Sequence, residues 1–342
     1  MKFDSPIVFP RDEGSHPEAL DEWWYMNCQL YAQKENRSFA IIACFFPDRL
    51  LTMVVDVSNR RMAHNNVQKF QKFTSSKNLL DLSFGKSWWK QTDNDPTNYK
   101  IHLDVGKLFA DLSLEPVKQP MLIDGTGVIR EGLLGRSYYY AYPRLQTNGT
   151  ICVDGQNFEV TGIGWIDRQW GEWEWGGLGS WRWFSIQLDS GVEMLVIQIT
   201  HPLSEAIVSQ NLTLSERDGK TRVYRSFTVS EIGKWKSPGT GRSYEIGWQI
   251  AAPGHFKLRV SPVLADQECM KGLWEGACEV EGTFEGTAVR GRAYVEQSHG
   301  RVNGKKRKIL FFFIGIANHI LRRTFSANVN LPYRLKVLLE PE

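Results

Sequence analysis

The chain has 342 residues, of which 42% are hydrophobic and 23% charged, and its formal net charge is +3 at pH 7. This size and composition are typical of a folded protein of two domains. Ahead of the C-terminal region, Lys and Arg are interspersed with Asp and Glu, which argues against a nucleic-acid-binding surface. The N-terminal stretch has no apolar core of signal-peptide length, and no segment reaches the roughly 18 apolar residues of a membrane span. The sequence therefore predicts a cytoplasmic protein.

The first stretch of interest is DEWWY at residues 21–25. One of its two carboxylates, Glu22, directly precedes the two tryptophans. Glu22 either satisfies backbone groups at a domain junction or faces a ligand beside Trp24.

Short segments with a period of two follow along the chain. In YKIHLDVG, residues 99–106, Ile101, Leu103 and Val105 share one face, and HFKLRVSPVL at residues 255–264 alternates in the same way. Turn signals such as SNRR, DGTG and SPGTG interrupt these segments, and helical periodicity is scarce. The pattern predicts an all-β protein of antiparallel barrels or sandwiches, with about eight strands per domain.

The stretch RSYYYAYPRL, residues 136–145, concentrates tyrosines on one predicted strand. Tyr138 and Tyr140 share a face, and Tyr139 lies on the other. One face is therefore polar and aromatic. It either meets a ligand, with Tyr140 as the candidate contact, or forms an exposed tyrosine edge.

The stretch GWIDRQWGEWEWGG, residues 164–177, combines tryptophans with charged residues. Strand alternation places Trp165, Asp167 and Gln169 on one face, opposite Arg168 and its neighbours. Asp167 either caps a turn or pairs with Arg168 at a rim, or it is a polar anchor in an aromatic cavity, where low dielectric strengthens each charge-assisted hydrogen bond.

Six of the 13 tryptophans lie close together in and just after this stretch. They are more than the core of one small domain can bury, so about half of them are predicted to line a ligand cavity. The six are Trp165, Trp170, Trp173, Trp175, Trp181 and Trp183.

The chain contains two copies of one unit. VTGIGWIDRQWG at residues 160–171 aligns with VRGRAYVEQSHG at residues 289–300, and WWYMNCQL at residues 23–30 aligns with WRWFSIQL at residues 181–188. Such self-similarity indicates two domains of like architecture. The predicted domains are residues 1–176 and 177–300, followed by an extension at 301–342.

The extension joins the basic run KKRK to an apolar run at residues 309–317 and then to Arg322 and Arg323. The apolar run is too short to span a bilayer. The extension either packs on the second domain as a final strand or helix, or docks peripherally on an anionic membrane.

Several kinds of site are not expected. The chain has no glycine-rich phosphate loop, no His-Glu-x-x-His and no Gly-x-Ser-x-Gly elbow, and its seven histidines show no ligand spacing. No metal and no nucleotide site are therefore predicted.

Three stretches together resemble the hydroxyneurosporene synthase family of AttH-like, tandem lipocalin-like proteins. They are FPRDEGSHPEALDEWWY at residues 9–25, GWIDRQWG at 164–171, and WEGACEVEG with GRAYVE between 274 and 296. The family includes bacterial carotenoid hydratases and fungal Diels-Alderases. The resemblance, which extends over residues 7–300, implies two lipocalin-like domains. It also implies a pocket in the domain that carries Asp167 or between the domains, with no metal or redox cofactor.

The resemblance also implies roles for particular residues. The hydratases use a His beside the Trp of the GWIDRQWG motif, where this chain has Arg168, and an acid on a following strand, where it has Gln198. Because Arg stays charged and Gln has no proton to give, direct protonation of an alkene is not expected. Asp167, Arg168 and Gln198 are predicted instead to polarise a carbonyl or to orient one end of the substrate.

The resulting hypothesis is a cofactor-free cyclase or isomerase of natural-product biosynthesis. It would hold a hydrophobic polyene or isoprenoid in a reactive conformation, which lowers the barrier without a nucleophile. A carotenoid or isoprenoid hydratase and a non-enzymatic carrier of lipophilic ligands are the alternatives. The predicted substrate contacts are Glu22, Trp24, Tyr140, Trp165, Trp170, Trp181 and Trp183.

Overall fold

A computed structural model describes residues 1, 3–92, 95–131, 135–173, 179–201, 203–298 and 316. Antiparallel strands make up most of this part of the chain, and two short 3₁₀ helices lie at Arg11–Glu13 and Ile123–Gly125. The predicted all-β class is confirmed. The domain boundary at 176 and 177, Trp175, and the extension 301–342 apart from residue 316 lie outside the described residues.

The first sheet has 13 strands. They are β1 (Asp21–Ala32), β2 (Arg37–Phe46), β3 (Arg49–Asp56), β4 (Arg61–Lys69), β5 (Phe73–Ser75), β6 (Asp81–Phe84), β7 (Ser87–Thr92), β8 (Asp95–Val105), β9 (Leu108–Pro116), β10 (Met121–Leu122), β11 (Val128–Glu131), β12 (Gly135–Val153) and β13 (Gln156–Glu172). Their order is β4-β3-β2-β1-β13-β12-β9-β8-β7-β6-β5, with β10 and β11 also paired to β12.

The second sheet has 10 strands. They are β14 (Trp181–Leu188), β15 (Glu193–Thr200), β16 (Ile207–Ser215), β17 (Thr221–Tyr224), β18 (Thr228–Lys236), β19 (Ser243–Ala252), β20 (Phe256–Pro262), β21 (Glu268–Met270), β22 (Leu273–Phe284) and β23 (Thr287–Ser298). Their order is β17-β16-β15-β14-β23-β22-β20-β19-β18, with β21 paired to β22.

Both sheets are curled antiparallel half-barrels, as expected for tandem lipocalin-like domains. In each sheet the first strand pairs with the second strand on one side and with the last strand on the other. The number of strands in each sheet exceeds the predicted eight because turns divide the meander into short segments, the shortest being Met121–Leu122.

The two repeated motifs have glycine at the same position, Gly162 and Gly291, and the reason is steric. A Cβ atom at Gly162 would lie 2.0 Å from the carbonyl oxygen of Gln29, and one at Gly291 would lie 2.3 Å from that of Gln187. Both distances are shorter than any van der Waals contact, so only glycine lets the last strand approach the first strand in each sheet.

Strand alternation creates three cores. On β1, Trp24 and Met26 enter the core enclosed by the first sheet, whereas Tyr25 belongs to a core between the two sheets. On β14, Phe184 enters the core of the second sheet, whereas Trp183 belongs to the core between the sheets. Burying each large apolar side chain contributes roughly 1.5–3 kcal/mol, so the shared core holds the two domains together.

A buried ionic cluster also joins the domains. The carboxylate of Glu193 on β15 accepts hydrogen bonds from Lys118 Nζ and from Arg144 Nε, both at 2.5 Å. Lys118 Nζ also donates to the carbonyl oxygens of Gly191 at 2.7 Å and Glu216 at 2.5 Å. Because two cations surround the one carboxylate, the negative charge of Glu193 is compensated where it is buried.

Candidate functional site

A cavity lies between the two sheets, beside their shared core. Its volume is about 200 Å³, which is somewhat smaller than small-molecule sites of about 300–1,000 Å³. Aromatic side chains from both domains form much of its wall: Trp23, Tyr25, Phe46, Tyr139, Trp173, Trp181 and Trp183. The cavity can therefore bury an apolar molecule.

Equivalent positions of the two sequence repeats contribute to this cavity. The matching pairs that line it are Trp23 with Trp181, Tyr25 with Trp183, and Asp167 with Glu296. Another matching pair makes direct contact, since Asn27 Nδ2 donates to Ser185 Oγ at 3.1 Å. The cavity thus forms where the two repeats face each other.

Asp167 on β13 is a fully buried carboxyl group in the cavity wall. Its Oδ2 accepts a hydrogen bond from the Tyr139 hydroxyl at 2.6 Å, and its Oδ1 accepts one from Trp165 Nε1 at 2.7 Å. No Lys or Arg in the described part of the chain forms an ion pair with it. Burial raises the pKa of Asp167 to about 7, although both hydrogen bonds oppose the rise. Both protonation states are therefore available near neutral pH, as acid–base catalysis requires.

Tyr139 on β12 links Asp167 to the second domain. Its hydroxyl donates to Asp167 and accepts a hydrogen bond from Trp183 Nε1 at 2.7 Å. The Trp183 ring packs edge-on against Tyr25, with ring centroids 5.4 Å apart, and against Trp165, at 6.3 Å. The orientation of the Asp167 carboxyl group therefore depends on residues of both domains.

The second domain contributes two more carboxyl groups. Glu275 on β22 lies directly opposite Glu296 on β23, and both line the cavity. Burial, followed by the charge of Glu296, raises the pKa of Glu275 well above its ordinary value. Trp181 Nε1 donates a hydrogen bond to Glu296 Oε1. The raised pKa of Glu275 favours its protonated form.

Glu131 at the end of β11 is a further buried acid in the cavity wall. It accepts hydrogen bonds from Ser137 Oγ, at 2.8 Å, and from Gln169 Nε2. Burial raises the pKa of Glu131 to about 7. Because its partners are a hydroxyl and an amide, Glu131 also lacks a compensating cation among the described residues.

Two cations line the cavity at more accessible positions. The Arg49 guanidinium lies 4.2 Å from the ring centroid of Phe46 and forms an ion pair with Asp48 at 3.0 Å. Lys271 is exposed. The buried part of the cavity is therefore acidic and aromatic. Within the described residues no group of three or more His, Cys, Asp or Glu side chains could hold a metal ion.

The predicted site residues divide between the two faces of β13. Asp167 lines the cavity and Trp165 bonds to it, whereas Arg168 and Trp170 face the core of the first sheet. Arg168 Nη2 donates to Glu22 Oε2 at 2.7 Å, and the guanidinium lies 3.9 Å from the Trp24 ring centroid. The Asp167–Arg168 pair considered from the sequence does not form, because adjacent strand residues point to opposite faces.

The remaining predicted contacts are placed as follows. Trp181 and Trp183 line the cavity. Tyr140 is buried in the core of the first sheet, because alternation along β12 turns Tyr139 towards the cavity instead. Gln198 on β15 donates to Gln210 Oε1 at 3.1 Å and is not among the residues that line the cavity. Glu22 and Trp24 lie with Arg168, away from the cavity.

The polar residues of the cavity that were not predicted include Glu131, Tyr139, Glu275 and Glu296. One signal could have identified Glu296, because the repeat alignment places it at the position of Asp167. Glu131 and Glu275 have no such counterpart. Glu131 is brought to the cavity by the pairing of β11 with β12 and by its hydrogen bond from Gln169. Glu275 is brought there by the packing of the second domain against the first.

The sequence matches the AttH-like family model over residues 51–300. The chain belongs to the AttH-like family. A dehydratase of Emericella nidulans, AsqC, is 24% identical to this AttH-like protein over 223 residues, which are 60% of this chain and 62% of the relative. The chain thus spans less than two thirds of the length of that curated relative.

Solved structures of related proteins share the fold. An AttH-type protein of Nitrosomonas europaea gives a TM-score of 0.73 at 24% identity, over 87% of this chain and 98% of the other. Kievitone hydratase of Nectria haematococca gives 0.72 at 19% identity, over 86% and 93% of the two chains. CghA with Sch210972 gives 0.52 at 13% identity, over 86% and 95%. Within the described residues of this chain, no helix is long and apolar enough to cross a membrane.

Proposed function

We propose that this AttH-like protein is a hydro-lyase that adds water to, or removes water from, a hydrophobic polyene or isoprenoid substrate in the cavity between its domains. The observation that carries the proposal is the Asp167 carboxyl group, which is buried among aromatic side chains and has a pKa of about 7. Its hydrogen bonds come from Tyr139 and Trp165, both uncharged donors.

Asp167 is suited to transfer a proton to or from carbon. In water removal, the Asp167 carboxylate takes a proton from a carbon atom, the electron pair of that C–H bond forms the double bond, and the neighbouring hydroxyl group takes a second proton, from another acid or from solvent, and leaves as water. In water addition, the protonated Asp167 carboxyl group gives its proton to the alkene, and the water molecule that adds to the neighbouring carbon releases one proton. Tyr139 and Trp165 hold the carboxyl group in place in both directions, because their donors are fixed in the surrounding core.

The aromatic wall binds the rest of the substrate. Trp23, Trp181 and Trp183 present apolar ring surfaces from both domains. Their π faces also stabilise positive charge that develops on carbon during proton transfer. The site therefore combines burial of an apolar chain with one ionisable group at the reacting carbon.

The carboxyl group distinguishes this proposal from the cyclase and carrier hypotheses. A cyclisation driven by the shape of the cavity, and the binding of a lipophilic ligand, both need the aromatic wall but no proton transfer. A cyclase would use the carboxyl group only to polarise a carbonyl or to orient the substrate, and a carrier would not use it, although its burial is costly. The names of two relatives, a dehydratase and a hydratase, agree with proton transfer in a related cavity.

The test is to incubate the protein with two probes, lycopene and kievitone, in water labelled with heavy oxygen. We expect a product that differs from the probe by one molecule of water, with the label in any added hydroxyl group. Asp167→Asn should lower turnover by about 100-fold or more, which is the usual contribution of a general acid or base. A product of unchanged mass would indicate a cyclase, and a bound but unchanged probe would indicate a carrier; either would contradict the proposal.

A further inference from the structure

We propose that Glu275 is a second catalytic residue, the acid that protonates the departing hydroxyl group, and that Glu296 is the positioning residue that keeps the proton on it. The inference rests on the proposed hydro-lyase function. It assigns the reaction to both domains, since Asp167 belongs to the first and the Glu275–Glu296 pair to the second.

The placement of the pair supports this role. Glu275 and Glu296 are opposite one another on β22 and β23, and both line the cavity that Asp167 lines. Glu275 is only 2% exposed, and in the described part of the chain it forms no ion pair with Lys or Arg. The ionisable groups that interact with it from neighbouring elements are Tyr25, Cys44, Asp167, Cys269, Tyr294 and Glu296.

The sequence repeat shows that Glu275 is not required by the fold. In the second sheet the residue opposite Glu296 is Glu275, whereas in the first sheet the residue opposite Asp167 is Ala141. Ala141 is fully buried, so the repeated architecture packs well with a small apolar side chain at this place. A buried carboxyl group at the equivalent position destabilises the folded protein, which points to a role in the reaction.

Glu296 keeps the proton on Glu275. The Trp181 indole donates a hydrogen bond to Glu296. Burial and the charge of the neighbouring Glu296 both raise the pKa of Glu275, so Glu275 is the member of the pair that holds the proton. Asp167 accepts two hydrogen bonds, which suits a carboxylate. The cavity thus contains a proton donor and a proton acceptor at once.

The two groups together complete the removal of water. Asp167 takes the proton from carbon, the C–H electron pair forms the C=C bond, and the C–O bond breaks as its oxygen takes the proton of Glu275. Asp167 ends protonated and Glu275 ionised, and transfer of one proton from Asp167 to Glu275 through solvent restores the starting state. Addition of water is the same sequence in reverse.

The experiment compares leaving groups. Its substrates are the hydrated form of whichever probe the wild type converts, and the analogue with fluorine in place of the added hydroxyl group. Glu275→Gln should lower turnover of the alcohol by about 100-fold or more. Fluoride leaves without being protonated, so for the fluoride the same variant should stay within about tenfold of the wild type. Asp167→Asn, the matched control, should be impaired with both substrates.

Infrared spectroscopy can locate the proton of the Glu275–Glu296 pair in the absence of substrate. Because burial and the charge of Glu296 raise the pKa of Glu275, the wild type should show the band of a protonated buried carboxyl group that belongs to Glu275. Glu275→Gln should remove this band, and Glu296→Gln should change its position. Melting curves show that each variant is folded.

The outcomes separate the inference from the proposed function. If the wild type converts neither probe by gain or loss of water, the proposed function fails. If the wild type is active but folded Glu275→Gln removes water from the alcohol at the wild-type rate, or is impaired equally with alcohol and fluoride, Glu275 is not the acid. Persistence of the infrared band in Glu275→Gln would likewise overturn the inference.

Discussion

Strand β13 carries a buried charged side chain on each of its two faces. Arg168 points into the core of the first sheet, where Glu22 supplies the opposite charge and the guanidinium lies over the Trp24 ring. Asp167, the preceding residue, points into the cavity, where its partners among the described residues are the uncharged donors of Tyr139 and Trp165. The two residues are equally buried, but within the described part of the chain only Arg168 has its charge compensated.

This difference is the reason for assigning a structural role to Arg168 and for proposing a catalytic role for Asp167. A buried ion pair holds its surroundings in one arrangement, as Arg168 does with Glu22 and as Glu193 does with Lys118 and Arg144. A buried carboxyl group without a cation costs stability and has a pKa near neutrality. Such a group is expected where protons are transferred.

The largest expected effect is a loss of stability when the buried Arg168–Glu22 ion pair is broken on the side of β13 that faces the core of the first sheet. Arg168→Leu leaves Glu22 buried without its cation, which should lower the free energy of unfolding by about 3–5 kcal/mol. Urea denaturation measures this loss. Arg168→Lys, which keeps the charge, should lose less. If Arg168→Leu remained as stable as the wild type but lost turnover, Arg168 would belong to the catalytic site.

The tryptophans allow a similar comparison. Trp170 packs in the core of the first sheet, so Trp170→Ala should destabilise the protein by about 3 kcal/mol or more without changing the activity of the folded fraction. Trp183→Phe keeps most of the ring volume but removes the donor to Tyr139, and it should mainly lower turnover. Thermal melting and turnover, measured on the same samples, check both expectations. If Trp170→Ala mainly lowered turnover and Trp183→Phe mainly lowered stability, the placement of the two rings would be contradicted.

A smaller effect is expected for Tyr139→Phe. The variant removes one of the two hydrogen bonds that favour the ionised form of Asp167, so the pKa of Asp167 should rise further. The limb of the pH–rate profile that reports this group should move to higher pH, and turnover should fall by about tenfold or less. An unchanged profile would show that Asp167 does not control the observed limb.

The sequence was sufficient to predict the fold but only part of the site. Turn signals, period-two segments and the repeated motifs indicated two like all-β domains. Alternation also separated Asp167 from Arg168 correctly. The alternation of Tyr139 and Tyr140 was visible too, yet nothing in the sequence shows which face of β12 meets the other domain. Glu275 could not be recognised because its proximity to Asp167 depends on the packing of two sheets.

The pH dependence of stability provides the decisive comparison. An unfolded Asp has a pKa of about 3.9, and the fold raises that of Asp167 to about 7, so the folded state binds more protons between these values. The stabilising contribution of this difference is complete below the lower value and is lost as the pH rises through the higher one. The Asp167→Asn variant does not show this pH-dependent loss of stability, because its side chain does not ionise. Glu13 and Glu131 also have raised pKa values, but they are present in both the wild type and the variant, so their contributions cancel in the comparison.

The most direct test is therefore the free energy of unfolding of Asp167→Asn and wild type across this pH range, together with turnover. We predict that the difference in stability between variant and wild type shifts in favour of the variant as the pH rises from about 4 to about 8, while turnover is lost throughout. A variant that loses stability relative to the wild type over this range, and keeps the activity of its folded fraction, would show that Asp167 is a structural carboxylate.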